Sequence, residues 1–264
     1  MKTLYKIILF LALLFSANGI FAQQTDREKG IELYNKGDYA GAVESLKKAV
    51  SQNRRDVVAL HYSGLAAEKQ NQPDEAVKNY QGAIEVCIKL IEKEIEKTLE
   101  VGKNNAQAIK EALIKGLAAE LPAAIESSNR FTELKPEAAG ADNWQTMILT
   151  LKTLNPNKPK ADTDLSNAPL TKVAVKSKPD PEYPESAMRN FTTGNIRLYV
   201  LFLPNGKIGL AVPFNRLPDG VTESAIAAAK NIKFEPAAQN DKPIAVWLQI
   251  IYVFGSGRRF APGT

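Results

Sequence analysis

The feature that most constrains the fold is a 34-residue repeat in the N-terminal half of the chain. Apolar and small residues recur at helical spacing from Asp26 onward, and four pairs of positions match at that offset without a gap. The pairs are Gly30 with Gly64, Ala42 with Ala76, Leu46 with Tyr80, and Ala49 with Ala83. A small residue at a helix crossing lets two antiparallel helices approach, and a bulky residue fills the groove beside it. The pattern predicts stacked helix pairs.

The segment ELYNKGDYAGAVESLKKAV resembles a tetratricopeptide repeat, with a turn at Gly37-Asp38 in the first unit and at 71–74 in the second. The resemblance implies a groove lined by the first helix of each unit. The residues that it assigns to partner binding in this groove are Arg27, Tyr34, Asn35, His61, Leu65 and Lys69. For His61, packing at a surface between repeats is an equally open interpretation.

The repeat register degrades after the second unit. Its second helix is expected to run on to about Gly102, with Cys87 inside the apolar stripe as a packed core thiol. Further helices are predicted from Ala106, over a degenerate unit at 122–136, and from Asp142, as the helix cap, to Leu154. These irregular helices would close the array, giving a helical repeat domain over 23–154.

Composition excludes several classes of site. The 264 residues include one cysteine and one histidine, whereas a structural zinc site needs about four such ligands and a disulfide needs two cysteines. We therefore predict no metal, no cofactor and no enzymatic activity. Without Lys2 and Lys6 of the leader, 34 − 2 = 32 basic residues face 29 acidic ones, a surplus of +3. This surplus has no aromatic-rich basic run beside it and does not favour nucleic-acid binding.

The first 22 residues are typical of a secretory signal peptide. Lys2 and Lys6 precede an unbroken apolar run from Ile7 to Phe15, and small residues follow before Ala22. Cleavage after Ala22 would leave an exported, periplasmic protein without a membrane span. The alternative is an uncleaved anchor in the inner membrane, although a span needs about 20 apolar residues.

A polar, proline-rich segment at 155–178 is predicted to be a linker. After it the pattern changes to short strands, a hairpin at Asn205-Gly206, a helix capped by Thr222, and a last strand from Pro243 to Phe254. The predicted fold class is therefore multidomain: an all-α helical repeat domain followed by a small α+β domain.

The C-terminal pattern resembles the C-terminal domain of TonB-type energy transducers over about residues 179–255, with a tail at 256–264. The ordered features that carry the resemblance are Tyr183-Pro184, Gly194 before an apolar strand, Asn205-Gly206, Ala225 to Ala229, Ile232 to Ala237, Lys242-Pro243, and a terminal strand ending at Phe254. Asp241 departs from the family, in which many members have glycine before the Lys-Pro pair.

The resemblance implies a binding mode. Such domains pair with an extended segment of an outer-membrane transporter, whose chain completes the open edge of a sheet. The residues assigned to this edge are Val246, Leu248, Ile250, Tyr252 and Phe254. The tail, or a second copy in a homodimer, is an alternative cover for the same edge.

Two functions follow as hypotheses. The first is an exported, non-enzymatic adaptor, with the repeat groove for one protein or peptide and the TonB-like domain for another, such as a TonB-dependent outer-membrane transporter. The second is a membrane-anchored transducer that couples an inner-membrane proton-driven motor to outer-membrane transport.

Overall fold

The computed structural model describes residues 24–102, 106–155 and 170–255. The predicted signal peptide, the tail at 256–264 and most of the predicted linker lie outside these ranges. Within them, no helix combines the length and the apolar character needed to cross a membrane.

The N-terminal region is entirely helical. Its helices are α1 (Asp26–Asn35), α2 (Tyr39–Gln52), α3 (Val57–Lys69), α4 (Pro73–Glu100), α5 (Ala106–Gly116), α6 (Glu120–Leu134), α7 (Pro136–Ala139) and α8 (Asp142–Leu154). The first four form two antiparallel pairs, as the repeat predicts. Asp38 and Asp56 accept hydrogen bonds from the amides of Gly41 and Ala59, so α2 and α3 begin with similar side-chain caps.

The repeat positions pack in the same way in both units. A Cβ at Gly30 would lie within 3.0 Å of two Leu46 side-chain carbons, and a Cβ at Gly64 within 3.0 Å of three Tyr80 ring carbons. Leu46 and Tyr80 are fully buried. The helical crossings therefore depend on glycine facing a bulky partner, which confirms the packing predicted from the 34-residue offset.

Helix α4 is long because its apolar stripe continues past the second repeat unit. Ile84, Cys87, Ile91 and Ile95 are all fully buried along it, and burial raises the pKa of the Cys87 thiol to about 12. The helix ends at Glu100, close to the predicted end. Cys87 is thus a core thiol, as the stripe predicted.

Two predicted caps are wrong. The N-cap of α8 is Ala141, and Asp142 is the first helical residue. The C-terminal helix begins after Gly220, whose left-handed backbone (φ 79°) occupies the N-cap position. The Thr222 hydroxyl instead bonds both backbone groups of Leu217, so it fixes the preceding loop.

The C-terminal region is α+β. Its elements are β1 (Leu170–Thr171), β2 (Ala174–Ser177), α9 (Glu185–Arg189), β3 (Gly194–Phe202), β4 (Ile208–Pro213), α10 (Val221–Lys230), β5 (Lys233–Glu235), β6 (Ala238–Gln239), β7 (Lys242–Pro243) and β8 (Val246–Phe254). The main sheet is antiparallel with strand order β4-β3-β8, and the hairpin between β3 and β4 turns at Gly206 (φ 77°).

The structure corrects two boundaries in this half. Strands β1 and β2 lie in the segment predicted as linker, and they pair with β6 and β5 of the C-terminal region. The last strand begins at Val246, because Lys242–Pro243 pairs separately with β6. The C-terminal unit therefore starts by Leu170.

The main sheet packs on both faces. Alternate β3 residues, including Leu198 and Val200, contact α10 and its neighbours in one core. On the opposite face, Leu201 and Leu210 share a core with helical residues such as Leu151. Period-2 alternation puts successive side chains on opposite faces, and here each face is covered by a different set of helices.

Ion pairs flank the contact between the helical region and the sheet. Lys207 pairs with Asp142 at 3.0 Å, and Arg216 pairs with Glu96 at 2.5 Å. The two regions therefore share a buried apolar contact with charged groups at its rim.

Candidate peptide-binding surfaces

Strand β8 is the outer strand of the main sheet in the part of the chain that the structure describes. Its inner neighbour is β3, and Ile251 lies opposite Arg197. The Arg197 amide donates to Asn215 and its carbonyl accepts from Phe214, so both groups point toward the β4 side. The backbone groups of Ile251 therefore point away from β3, because opposite residues in an antiparallel pair alternate between bonded and non-bonded pairs.

The same alternation assigns the other backbone groups of β8. Gln249 and Val253 share the orientation of Ile251, while the even-numbered residues between them bond to β3. The Lys178 ammonium donates to the Ile251 carbonyl at 3.0 Å, which agrees with an outward carbonyl. Backbone donors and acceptors for an added strand thus come from the odd-numbered residues.

Side-chain exposure along β8 corrects the predicted edge residues. Tyr252 and Phe254 are buried (2% and 5% exposed), because the even-numbered face at this end of β8 packs into the domain core. Val246 and Ile250 are half-buried against that core, and Leu248 alone of the five predicted residues is exposed.

The accessible residues that sequence reasoning missed are Gln249, Ile251 and Val253. Ile251 and Val253 expose 45% and 69% of their surface. The sequence VWLQIIYVF could have identified them, because its side chains alternate between two faces. If the face with Tyr252 is assigned to the core, the other face holds these three residues.

The helical region contains a pocket of about 410 Å³. Its lining residues come from α1, α3 and α6 and are Tyr34, Leu65, Glu68, Lys69, Glu126 and Arg130. Three predicted groove residues, Tyr34, Leu65 and Lys69, are therefore brought together. The other three lining residues were not predicted, and two of them lie on α6, outside the repeat register.

The remaining predicted groove residues do not line this pocket. His61 is buried, and its Nδ1 lies 3.0 Å from the Ser127 hydroxyl of α6. Burial lowers the pKa of His61. Arg27 pairs with Asp56 at 3.5 Å, and Asn35 is exposed. The assignment of His61 to an open groove is wrong because α6 packs over that part of α3.

A charged network lines the pocket. Arg130 donates from Nε to Glu68 at 3.0 Å and pairs with it through a second nitrogen, while the Tyr80 hydroxyl donates to the same carboxylate. Burial raises the pKa of Glu68, but the hydrogen bonds from Arg130 and Tyr80 and the Arg130 charge outweigh it, so the pKa lies below its ordinary value. This network ties α6 to the second repeat unit.

Replacing Glu68 with glutamine is expected to lower the free energy of unfolding at pH 7 by about 1–3 kcal/mol, since it removes the less exposed of the two carboxylates that pair with Arg130. Because the pKa of Glu68 is lower in the folded state than in the unfolded chain, the ionised carboxylate stabilises the fold at pH values above the pKa of free glutamate, about 4.3. This contribution to stability is lost as the pH falls through the lower pKa of the folded state. The variant should therefore lose less stability than the wild type between about pH 5 and pH 3. Urea denaturation followed by circular dichroism measures both effects.

The control for this experiment is Glu133→Gln. Glu133 contacts the same guanidinium at 2.5 Å, but its side chain is 59% exposed. We expect a much smaller change in stability, because exposed ion pairs contribute little. Equal losses for the two variants would contradict the importance assigned to Glu68.

Within the described ranges, no group of three or more histidine, cysteine, aspartate or glutamate residues is arranged to hold a metal ion. Both surfaces are instead made of apolar side chains, ion pairs and, at β8, outward backbone groups. Their chemistry suits the binding of polypeptide chains.

Comparison with known proteins agrees with the C-terminal geometry. Residues 179–255 match the family described as Gram-negative bacterial TonB protein C-terminal. The resemblance predicted from the sequence is therefore confirmed for this segment. The family is associated with transport and the cell envelope and is not a family of enzymes. No curated protein matches the chain.

The chain thus combines a helical region that fits a repeat domain with a TonB-type C-terminal domain. The narrower tetratricopeptide assignment stays a prediction.

Proposed function

We propose that the protein is a non-enzymatic adaptor of the cell envelope that binds an extended segment of an outer-membrane protein by strand addition at β8. The observation that carries this proposal is the outward orientation of the Gln249, Ile251 and Val253 backbone groups at the edge of a sheet that matches the TonB type. Exposed donors and acceptors on an edge strand are completed by the backbone of an added chain.

The energetics of this edge are adequate for a specific but reversible complex. The outward backbone groups of Gln249, Ile251 and Val253 offer up to six hydrogen bonds, each with a net value of about 0.5–1.5 kcal/mol. Ile251 and Val253 add exposed apolar surface on one face of the strand. An added strand would bury this surface while ordering a free peptide, which costs part of the gain.

The helical region supplies the second surface of the adaptor. Tyr34, Leu65 and Lys69 lie around a pocket of about 410 Å³, with charges of both signs on its walls. We assign this pocket to a short polypeptide segment of a second partner, since Leu65 offers apolar contact and Lys69 and Arg130 offer ionic contact.

The test of strand addition combines capture with hydrogen exchange. A photocrosslinking amino acid at Val253 should capture an envelope protein through an extended segment of that protein, while the same group at exposed Glu223 of α10 should not. When the captured segment is added as a peptide, the amides of Gln249, Ile251 and Val253 should exchange more slowly. Those of Leu248, Ile250 and Tyr252, which already bond to β3, should change little.

Slower exchange at α10 but not at the odd-numbered β8 amides would contradict strand addition. The anchored-transducer alternative is tested separately by N-terminal sequencing of the protein from cell envelopes. A start at Gln23 supports the adaptor, and retention of the apolar run at 7–15 supports the transducer.

A further inference from the structure

Lys178 occupies an unusual place beside the proposed binding edge. Its ammonium donates to the outward Ile251 carbonyl at 3.0 Å and lies 4.7 Å from the centre of the Tyr252 ring. The first contact places the cation at the strand edge, and the second places it on the sheet face that carries Tyr252. Lys178 is exposed, so its charge can meet a bound chain.

The charge of Lys178 is not neutralised by an ion pair among the residues that the structure describes. The neighbouring Lys176, by contrast, pairs with Glu235 at 3.0 Å. Burial and, to a smaller extent, the charge of Asp180 raise the pKa of the Tyr252 hydroxyl. Among the described residues, the Lys178 ammonium therefore has one hydrogen-bond acceptor, the Ile251 carbonyl.

Strand addition would make an amide compete with Lys178 for that carbonyl. An added strand donates one of its own amides to the Ile251 carbonyl, which occupies one of the two lone pairs of the oxygen and leaves the ammonium at the same edge. A carboxylate on the added strand would offer this ammonium a charged acceptor, and charge-assisted hydrogen bonds are the stronger kind.

The alternation of side chains fixes where this carboxylate must stand. In an added strand, the residue opposite Ile251 has its side chain on the Ile251 face, and the residues on either side of it point to the Tyr252 face. On the Ile251 face, apolar residues of the added strand would pack against the exposed Ile251 and Val253 side chains. On the Tyr252 face, an acidic residue would lie beside the Lys178 ammonium. This acidic residue is next in sequence to the apolar residue opposite Ile251.

We propose that Lys178 is a specificity-determining residue that selects extended partner segments with one acidic residue between apolar ones. This inference rests on the proposed strand addition at β8. It assigns to Lys178 the recognition of the partner's carboxylate, and to Ile251 and Val253 the recognition of the flanking apolar residues.

The test uses the full chain and three synthetic peptides, each with the core Val-Thr-Val-X-Val-Thr-Val between soluble Gly-Ser ends, where X is glutamate, glutamine or lysine. The wild type should bind the glutamate peptide about twofold to fivefold more tightly than the glutamine peptide, the range of an exposed ion pair. In Lys178→Met, this preference should disappear while the affinity for the glutamine peptide stays the same. In Lys178→Glu, the lysine peptide should become the preferred one.

Lys176→Met is the matched control, because it removes a neighbouring exposed cation that pairs with Glu235 of β5. It should keep the preference for glutamate. The preference should also shrink in high salt, since exposed charges are screened. Thermal melts of each variant show that the fold is retained.

The outcomes separate the two proposals. If all three peptides bind equally to the wild type, or if Lys178→Glu leaves the preference unchanged, the role of Lys178 is overturned and strand addition stands. If no peptide binds and no β8 amide is protected, strand addition itself is overturned, and the role of Lys178 with it.

Discussion

Replacing Leu210 with aspartate is expected to lower the free energy of unfolding by about 3–5 kcal/mol, the cost of an uncompensated charge in a buried site. Leu210 is fully buried, and it lies on the β4 face that contacts the helical region. The substitution should separate the unfolding of the two regions, which we expect to be coincident in the wild type. In a Trp144→Phe background, in which Trp247 is the single tryptophan, its fluorescence and helical circular dichroism, measured on the same urea series, follow the two regions.

The control is Gln249→Asp. Gln249 lies opposite Tyr199 on the same face of the sheet, but it is exposed beyond the helical contact. The charge is then solvated, and the change in stability should stay within about 0.5 kcal/mol. Coincident unfolding in Leu210→Asp, with a loss no larger than in the control, would show that the sheet does not depend on the helical region.

Replacing Gly64 with alanine is expected to destabilise the helical region by about 1–3 kcal/mol, the usual cost of overpacking a core. The added methyl group would lie within 3.0 Å of three carbons of the Tyr80 ring. Tyr80 has little room to move, because it is fully buried and its hydroxyl donates to Glu68. The steric cost should exceed the gain in helix propensity.

Gly82→Ala is the matched substitution in α4. A Cβ at Gly82 would meet the Leu60 side chain at 3.5 Å, an ordinary contact. Here the propensity gain of about 0.5–1 kcal/mol should dominate, and the variant should be more stable than the wild type. We expect the denaturation midpoint to fall in Gly64→Ala and to rise in Gly82→Ala, relative to the wild type. Stabilisation by both would mean that the Tyr80 ring can shift.

The repeat could be predicted from the sequence because its contacts are local. Gly64 and Tyr80 lie on consecutive helices, so the spacing of small and large residues already describes how they meet. The predicted core position of Cys87 follows from the same helical periodicity. The pairing of β3 with β4 was likewise accessible, since the turn at Gly206 fixes that hairpin.

The contacts between distant segments could not be predicted in this way. Nothing in the period of 34 residues shows that α6 covers His61, because Ser127 lies 66 residues away and outside the register. The packing of helices on the second face of the main sheet could not be predicted for the same reason. Leu201 and Leu210 read as ordinary strand residues, and only the folded chain shows that helices of the repeat region cover them.

At β8 the sequence identified an edge strand of the described sheet but not its accessible side. Alternation divides its residues into two sets, and choosing between the sets requires knowing which face the core occupies. The inward positions of Tyr252 and Phe254 settle that choice. They leave Leu248, Gln249, Ile251 and Val253 as the exposed side chains of β8.

The packing of α8 and α4 against the sheet has a consequence for partners that bind at the same time. When two binding modules are joined by a flexible linker, the effective concentration for the second binding event is set by the length of that linker. Here side-chain contacts such as Leu210 with the helical core, rather than the length of 155–169, fix the distance between the β8 edge and the Tyr34 pocket. Lengthening that segment should therefore leave the avidity for two partners unchanged, and loosening the contact should reduce it.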